Sequence, residues 1–277
     1  IAGSKISPTF TTDGSFNSIS IGKGANSVAT NTVLGLNALD AAVTGENNVA
    51  IGNVAMTDAT SAGDSTAVGA GALNAVTTGS QNTAIGKSAL LLNTTGASNT
   101  ALGKDALRAN TTSSNNTAVG HDALTANTTG TGNVAVGAEA FRDNTTGSFS
   151  TALGSLSLFE ATTGSGNTAL GRRALQENTT ASNNTGAGIE ALRYNTTGTQ
   201  NTSVGATALK QNTTANNNTA VGYAALGLNT TGSHNAVLGA RALDANTTGY
   251  FNVAVGYRAG KALTTGGNNV ALGSQAF

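Results

Sequence analysis

Few side chains in this sequence are suited to chemistry, and their spacing limits what they can do. There are two histidines, His121 and His234, and no cysteine, so thiolate nucleophiles, disulfides and Cys-ligated metals are excluded. Neither histidine is copied elsewhere at a regular interval, which is the wrong pattern for a metal site or an acid–base pair. Asp105, Asp122, Asp143 and Asp244 do not form the continuous series that calcium-binding β-rolls require. Glu139, Asp143, Glu160 and Glu177 are candidates for paired carboxylates of the glycosidase kind, but they stand at variable positions, where charges are ordinarily solvated. Gly79-Ser-Gln-Asn-Thr-Ala-Ile-Gly86-Lys87-Ser88 has the look of a phosphate loop, yet six residues separate its glycines where the motif needs four. No catalytic, cofactor-binding or metal-ligating residue is expected, and the chain is not read as an enzyme. What remains is recognition by aromatic faces. Tyr194, Tyr223, Tyr250, Phe251 and Tyr257 gather towards the C-terminal third, and exposed rings of this kind stack on sugars.

Composition narrows the field further. Of 277 residues 37 are glycine, one is proline and none is tryptophan, while aromatics make up 4%. Much of the 38% hydrophobic fraction is alanine, so a conventional core of large side chains is not expected. Thirteen basic and 13 acidic residues balance to zero net charge. Without a clustered Lys/Arg patch, nucleic acid is not an expected partner. No apolar run approaches the ~18 residues of a membrane span. The chain begins at Ile1 with no secretory signal in view and reads as a piece of something longer.

The poverty of the composition has one source, an internal repeat. Glycine closes a short aliphatic run at Gly35, Gly52, Gly69, Gly86, Gly103, Gly120, Gly137, Gly154, Gly171, Gly188, Gly205, Gly222, Gly239, Gly256 and Gly273, each step being 17 residues with no insertion or deletion. We call this glycine position 0 and number the unit to position 16. Position 16 is aliphatic (Val119, Val136, Leu153, Leu170, then Ala187). Position 4 is leucine or a close equivalent (Leu107, Leu124, Phe141), with Gly260 the one loss of a side chain. These two columns are expected to point inward as the large residues. Position 3 is alanine, as in Ala106, Ala123, Ala140 and Ala174, with Ser157 as the exception, and is expected to pack closely against another backbone. Position 13 is asparagine, replaced only by Ser65 and Ser150. A Thr-Thr pair follows at positions 8 and 9. The glycine at position 10 gives way to Ala62, Ser113, Ala181 and Ala215, so that corner has no strict need of positive φ. Lys87, Lys104, Arg172, Arg173 and Arg241 stand among the variable residues and are expected to face solvent.

Asn-Thr-Ala-Val-Gly alternates as a short strand, with Thr and Val on one face and Asn, Ala and Gly on the other. Thr-Thr is a second candidate strand. The segment after the glycine is read either as one helical turn or as a bent third side. Seventeen residues are too few for α-solenoid helix pairs and suit one coil of a parallel β-solenoid, with coils stacked at about 4.8 Å. The expected fold is therefore all-β: a β-solenoid, or β-roll, of about fifteen 17-residue coils, spanning residues 31–277 with the last coil incomplete and preceded by a lead-in over residues 1–30. Stacked asparagines would form amide ladders, which explains Asn93-Thr-Thr and Asn127-Thr-Thr better than their match to the glycosylation sequon does. Two large aliphatic residues per coil offset only part of the ordering cost, so self-association is expected to bury the alanine columns as well.

Ser18-Ile-Ser-Ile-Gly22-Lys-Gly-Ala-Asn-Ser-Val-Ala-Thr followed by Asn31-Thr-Val-Leu-Gly35 resembles the head repeats of trimeric autotransporter adhesins. The longer unit, Asn218-Thr-Ala-Val-Gly-Tyr-Ala-Ala-Leu-Gly-Leu-Asn-Thr-Thr-Gly232, looks like arrays in phage tail-fibre and related surface-fibre proteins. The 13-residue step from Gly22 to Gly35 is near the adhesin spacing of 14, whereas the 17-residue unit departs from it. The resemblance implies a left-handed parallel β-roll, a homotrimer, a location on a virion tail fibre or a bacterial cell surface, and flanking fibre, baseplate or anchor domains. The function expected first is a structural shaft that projects a receptor-binding or adhesive tip. A glycan- or cell-envelope-binding module using the repetitive surface is the alternative. An ice-binding solenoid is a third reading, with only one column of each Thr-Thr pair able to face ice.

Overall fold

The computed structural model describes residues 14–16 and 19–277, so part of the expected lead-in lies outside the described residues. Three strands open the chain: β1 (Gly14–Phe16), β2 (Ile19–Gly22) and β3 (Thr32–Gly35). β1 pairs antiparallel with β2, and β2 antiparallel with β3. From β3 through β4 (Val49–Ile51) to β17 (Val270–Leu272) every strand pairs parallel with the next, completing a 17-stranded sheet. The register advances one repeat at a time, as in Thr100↔Thr117, Ala101↔Ala118 and Leu102↔Val119. The chain is thus a parallel β-solenoid with one short strand per coil. Its antiparallel opening differs from the parallel arrangement implied for the Gly22–Gly35 step.

The other expected sides resolve differently. Thr-Thr lies in a bend rather than a second strand, and the segment after the glycine is a series of turns. No helix occurs among the described residues. Each coil closes through three left-handed residues, at positions 2, 4 and 12, for example Asp122 (φ 55), Leu124 (φ 51) and Asn115 (φ 62). That conformation costs an L-residue about 1–2 kcal/mol. Here it aims each amide along the rod. Asp122 N–H donates to the Lys104 carbonyl at 3.0 Å, Leu124 N–H to Ala140 at 3.1 Å and Asn115 N–H to Ala97 at 3.1 Å. Position 0 is stricter still. Gly120 has φ 136, and a Cβ there would lie 2.5 Å from the Gly137 carbonyl oxygen and 2.7 Å from its carbon. Both the angle and the space demand glycine. The position-10 glycines lack such a φ, in line with the alanines and serine found there.

The interior lies within one chain. Position 4 is fully buried along the stack (Leu73, Leu107, Leu124, Phe141). Positions 3 and 15 close over it with alanine: Ala123 and Ala118 are buried completely. Two expectations are corrected here. Position 16 does not point inward, since Leu102, Leu153 and Leu238 are 45%, 49% and 53% exposed. In a three-residue strand the central side chain faces opposite to its neighbours, and the inward slot at position 15 is narrow. A Cβ on Gly186, which occupies that slot, would sit 3.3 Å from Cγ of Leu175. Nor is a partner chain needed to cover the position-3 alanines, because Ala106, Ala123, Ala140 and Ala174 are already buried.

Asparagines at positions 7 and 13 line the remaining interior. At position 13, Asn116 N–H donates to Asn99 Oδ1 at 2.9 Å while Asn116 Nδ2 donates to the Gly130 carbonyl at 2.9 Å in the next coil. Ser65 and Ser150 keep the acceptor half of this role, receiving Asn82 N–H and Asn167 N–H, each at 3.1 Å. At position 7 the amides bond directly to one another. Asn110 donates to Asn93 at 2.8 Å, Asn127 to Asn110 at 3.0 Å and Asn144 to Asn127 at 2.7 Å. The ladder stops where Ala161 replaces asparagine and resumes from Asn178. It stops again at Leu263. At each break a buried acceptor is left without a partner, Asn144 Oδ1 and Asn246 Oδ1. The Asn-Thr-Thr sequons are therefore structural: Asn93 and Asn127 are fully buried.

Three substitutions test this account. Gly120→Ala should lower stability by about 3 kcal/mol or more, combining backbone strain with a clash. Gly130→Ala meets no φ strain, but its Cβ would lie 2.2 Å from the Gly147 carbonyl oxygen and 2.5 Å from Asn127 Oδ1, so it should also destabilise, by less than Gly120→Ala. Ala161→Asn should join the two position-7 ladders and raise stability by about 1 kcal/mol, read as a higher thermal midpoint. A midpoint that falls would show that the ladder geometry is misassigned.

Candidate functional site

Folding the repeat sorts its surface into faces. Beyond Gly69 every Asp, Glu, Lys and Arg stands at position 1, 2, 5 or 6, on the turns that follow the glycine. The strand face, carrying positions 14 and 16, holds no charge in that stretch. Its outward residues are threonine or valine, with alanine at Ala236, beside an aliphatic column: Thr100 with Leu102, Thr151 with Leu153, Val253 with Val255. Among the coils' exposed large hydrophobics, Ile85, Leu102, Val134, Leu170, Val204 and Val255 all lie on it. Of each Thr-Thr pair, position 8 is committed inside the ladder: Thr94 Oγ1 and Thr94 N–H both donate to the Thr111 carbonyl, at 3.0 and 2.8 Å. Position 9, as at Thr95 and Thr129, is the exposed member.

The residues singled out for chemistry fall mostly on the charged face. His121 Nδ1 lies 3.2 Å from Asp122, whereas His234 sits at the position-12 corner and stacks on Phe251 with centroids 4.7 Å apart. No group of three or more His, Asp or Glu side chains able to hold a metal occurs among the described residues. Asp143, Glu160 and Glu177 share position 6 on successive coils, while Glu139 stands at position 2 and meets Arg142 at 3.2 Å. Asp143 is held by the same guanidinium at 2.8 Å. Burial, and then the neighbouring Glu160 charge, push the Glu177 carboxyl above its usual value. In the other direction, Lys210 at 2.8 Å holds Glu190 below its usual range, supported by Arg193 and Arg173. The side chains of Lys87 and Ser88 stand on the turn after Gly86, an ordinary position-0 glycine with φ 136.

The five aromatic residues do not form one patch. Tyr223 and Tyr257 share position 1 two coils apart, Tyr194 is at position 6, Tyr250 at position 11 and Phe251 at position 12. Only Tyr250 and Phe251 touch each other, edge to face at 5.8 Å. The tyrosines of the charged face instead pair with cations. Arg193 lies 4.7 Å from the Tyr194 ring centroid, Arg258 5.0 Å from that of Tyr257 and Arg241 5.9 Å from that of Tyr223. Sequence reasoning found the rings but missed the segregation of charge. Its signal was present in the confinement of charged residues to four repeat positions.

The fold and surface define a β-solenoid repeat protein with one uncharged and one charged long face. No family profile, curated protein or solved structure matches the chain.

Glu177 gives a test of the charged face. Because its folded pKa is raised, its ionisation opposes folding. Stability is lost as pH climbs from the ordinary carboxylate range through the raised value. Glu177→Gln should therefore raise the thermal midpoint at pH 7 and leave it unchanged at pH 3. Equal midpoints at both pH values would contradict the assigned crowding.

Proposed function

We propose that this chain is a length of fibre shaft, built from parallel copies of itself, that holds an adhesive or receptor-binding tip away from a virion or a bacterial cell surface. The observation that carries the reading is the uncharged strand face. Isolated apolar residues on a surface need no explanation, but an unbroken aliphatic column flanked by threonine and valine, with no charge along it, does. At about 4.8 Å per coil the strip is roughly 70 Å long. With a width near 10 Å it presents on the order of 700 Å², comparable to the ~800 Å² that each partner contributes to a standard interface. In-register columns suit packing against an identical face, and the absence of charge removes the repulsion that like columns would otherwise meet. The trimeric number follows the resemblance to autotransporter heads and tail fibres.

The mechanism of such a shaft is mechanical. Each coil is tied to the next by backbone and asparagine bonds around its whole perimeter, so bending or local opening must break several at once. The charged face then remains outward and keeps the fibre soluble. Flanking fibre, anchor or baseplate domains are the partners this role requires.

Sedimentation equilibrium should return three times the 27 kDa chain mass, and negative-stain images should show rods. Val136→Lys combined with Leu170→Lys should reduce the mass to that of one chain, with the circular dichroism spectrum unchanged. A monomeric parent chain would sink the proposal.

A further inference from the structure

From the coil after Gly188 to the coil after Gly256, the charged face has one uncharged residue at position 5. At position 5 the coils after Gly188, Gly205, Gly239 and Gly256 carry Arg193, Lys210, Asp244 and Lys261, but the coil after Gly222 carries Gly227. The same coil has only Ala224 at position 2, between Thr207 and Arg241. With both side chains reduced at once, the face opens into a notch of about 470 Å³. Ala224, Gly227 and Leu228 floor it, and Lys210, Arg241 and Asp244 stand at its walls. That volume lies in the range of small-molecule sites.

The wall charges are unusual for this molecule. Where positions 2 and 5 carry opposite charges elsewhere, they close on each other: Asp105 with Arg108 at 3.6 Å, Glu139 with Arg142 at 3.2 Å, Glu190 with Arg193 at 3.0 Å. Arg241 and Asp244 have the same spacing with the charges exchanged, yet form no ion pair. Arg241 instead leans towards the Tyr223 ring, 5.9 Å from its centroid. Asp244 Oδ1 is shielded from solvent and makes no hydrogen bond, a state that costs free energy unless a donor is supplied. Lys210 is fixed on the opposite wall by Glu190 at 2.8 Å.

We propose that this notch is a saccharide-binding site, taking one pyranose unit of a glycan. A sugar ring offers what each wall lacks. One hydroxyl donates to the Asp244 carboxylate, an adjacent hydroxyl or ring oxygen accepts from the Arg241 guanidinium, and Lys210 donates to an oxygen across the ring. Leu228 and Ala224 supply apolar contact to the C–H face. An unpaired carboxylate beside an unpaired guanidinium on one wall suits a neutral ring with vicinal hydroxyls, which donates to the one and accepts from the other. The site occurs once in the described repeat array, in contrast to recognition by the repetitive surface as a whole. It is independent of the shaft assignment, because it lies on the charged face and not on the strand face.

The test is titration of the full chain with the methyl glycosides of glucose, galactose and mannose, followed by saturation-transfer NMR, and a glycan array for longer chains. Binding by the parent chain should weaken at least tenfold in Gly227→Gln, which refills the notch with the residue that the same column carries at Gln176. Asp244→Asn and Arg241→Met should each weaken it comparably. Arg142→Gln, on the same face outside the notch, should bind as the parent does, and circular dichroism should confirm that every variant folds. Absence of binding to all probes, undiminished binding in Gly227→Gln, or loss only when Tyr250 and Phe251 are replaced would each overturn the proposal.

Discussion

The structure depends on the hydrogen bonding between each coil and its neighbours. A coil has little internal secondary structure of its own: one three-residue strand and a set of bends. Its amides point up or down the rod, and their acceptors lie one unit away. Thr117 N–H reaches the Asn133 carbonyl ahead, while Gly120 N–H reaches the Leu102 carbonyl behind, both at 2.8 Å. One residue more or fewer in any coil would misalign every partner around that perimeter. The constancy of the 17-residue step follows from this, and so do the left-handed residues. Leucine is a poor choice for φ near +50° in isolation, yet the position-4 leucine adopts it in coil after coil, because there it buries its side chain and satisfies its amide together.

The same constraint sets the chemistry of the interior. Coils spaced by backbone hydrogen bonds leave room for one large side chain per turn and otherwise for alanine, glycine and asparagine. A buried amide is costly unless its donors and acceptor are met. Stacking identical amides meets them, since each asparagine finds the next at the same place one unit on. The two breaks in the position-7 column show the converse. Where the column loses its asparagine, the preceding oxygen is stranded, and the interruption is felt by the neighbouring coil rather than by the substituted one.

Much of this was legible in the sequence. The repeat length, the strand at Asn-Thr-Ala-Val-Gly, the inward leucine, the ladder role of asparagine and the solenoid class all follow from columns of like residues. The direction in which the strand faces did not. Alternation separates Thr117 and Val119 from Ala118 but is silent on which side is inside, and hydrophobicity favours the larger valine. The decision came from space: the slot over the leucine column takes a small residue, alanine in most coils and valine only at Val33 and Val237. The second strand expected at Thr-Thr failed because position 8 spends its hydroxyl as well as its amide on the neighbouring coil, bending the chain there. Binding sites were harder still. The notch beside Gly227 is written in the sequence as two small residues three apart. It has meaning only once positions 2 and 5 are known to project from the same face.

A coil that recognises only the coils on either side of it has no means of sensing how many there are. Insertion of a complete unit places every donor opposite an acceptor and disturbs no core, whereas insertion of any fragment does not. Reach is thereby a counted quantity. A gene that gains or loses one copy of the repeat by recombination between its near-identical segments lengthens or shortens the protein by one rung, with the termini and whatever they carry unaltered. In the shaft proposed above, reach could change in this way without redesigning any of its parts.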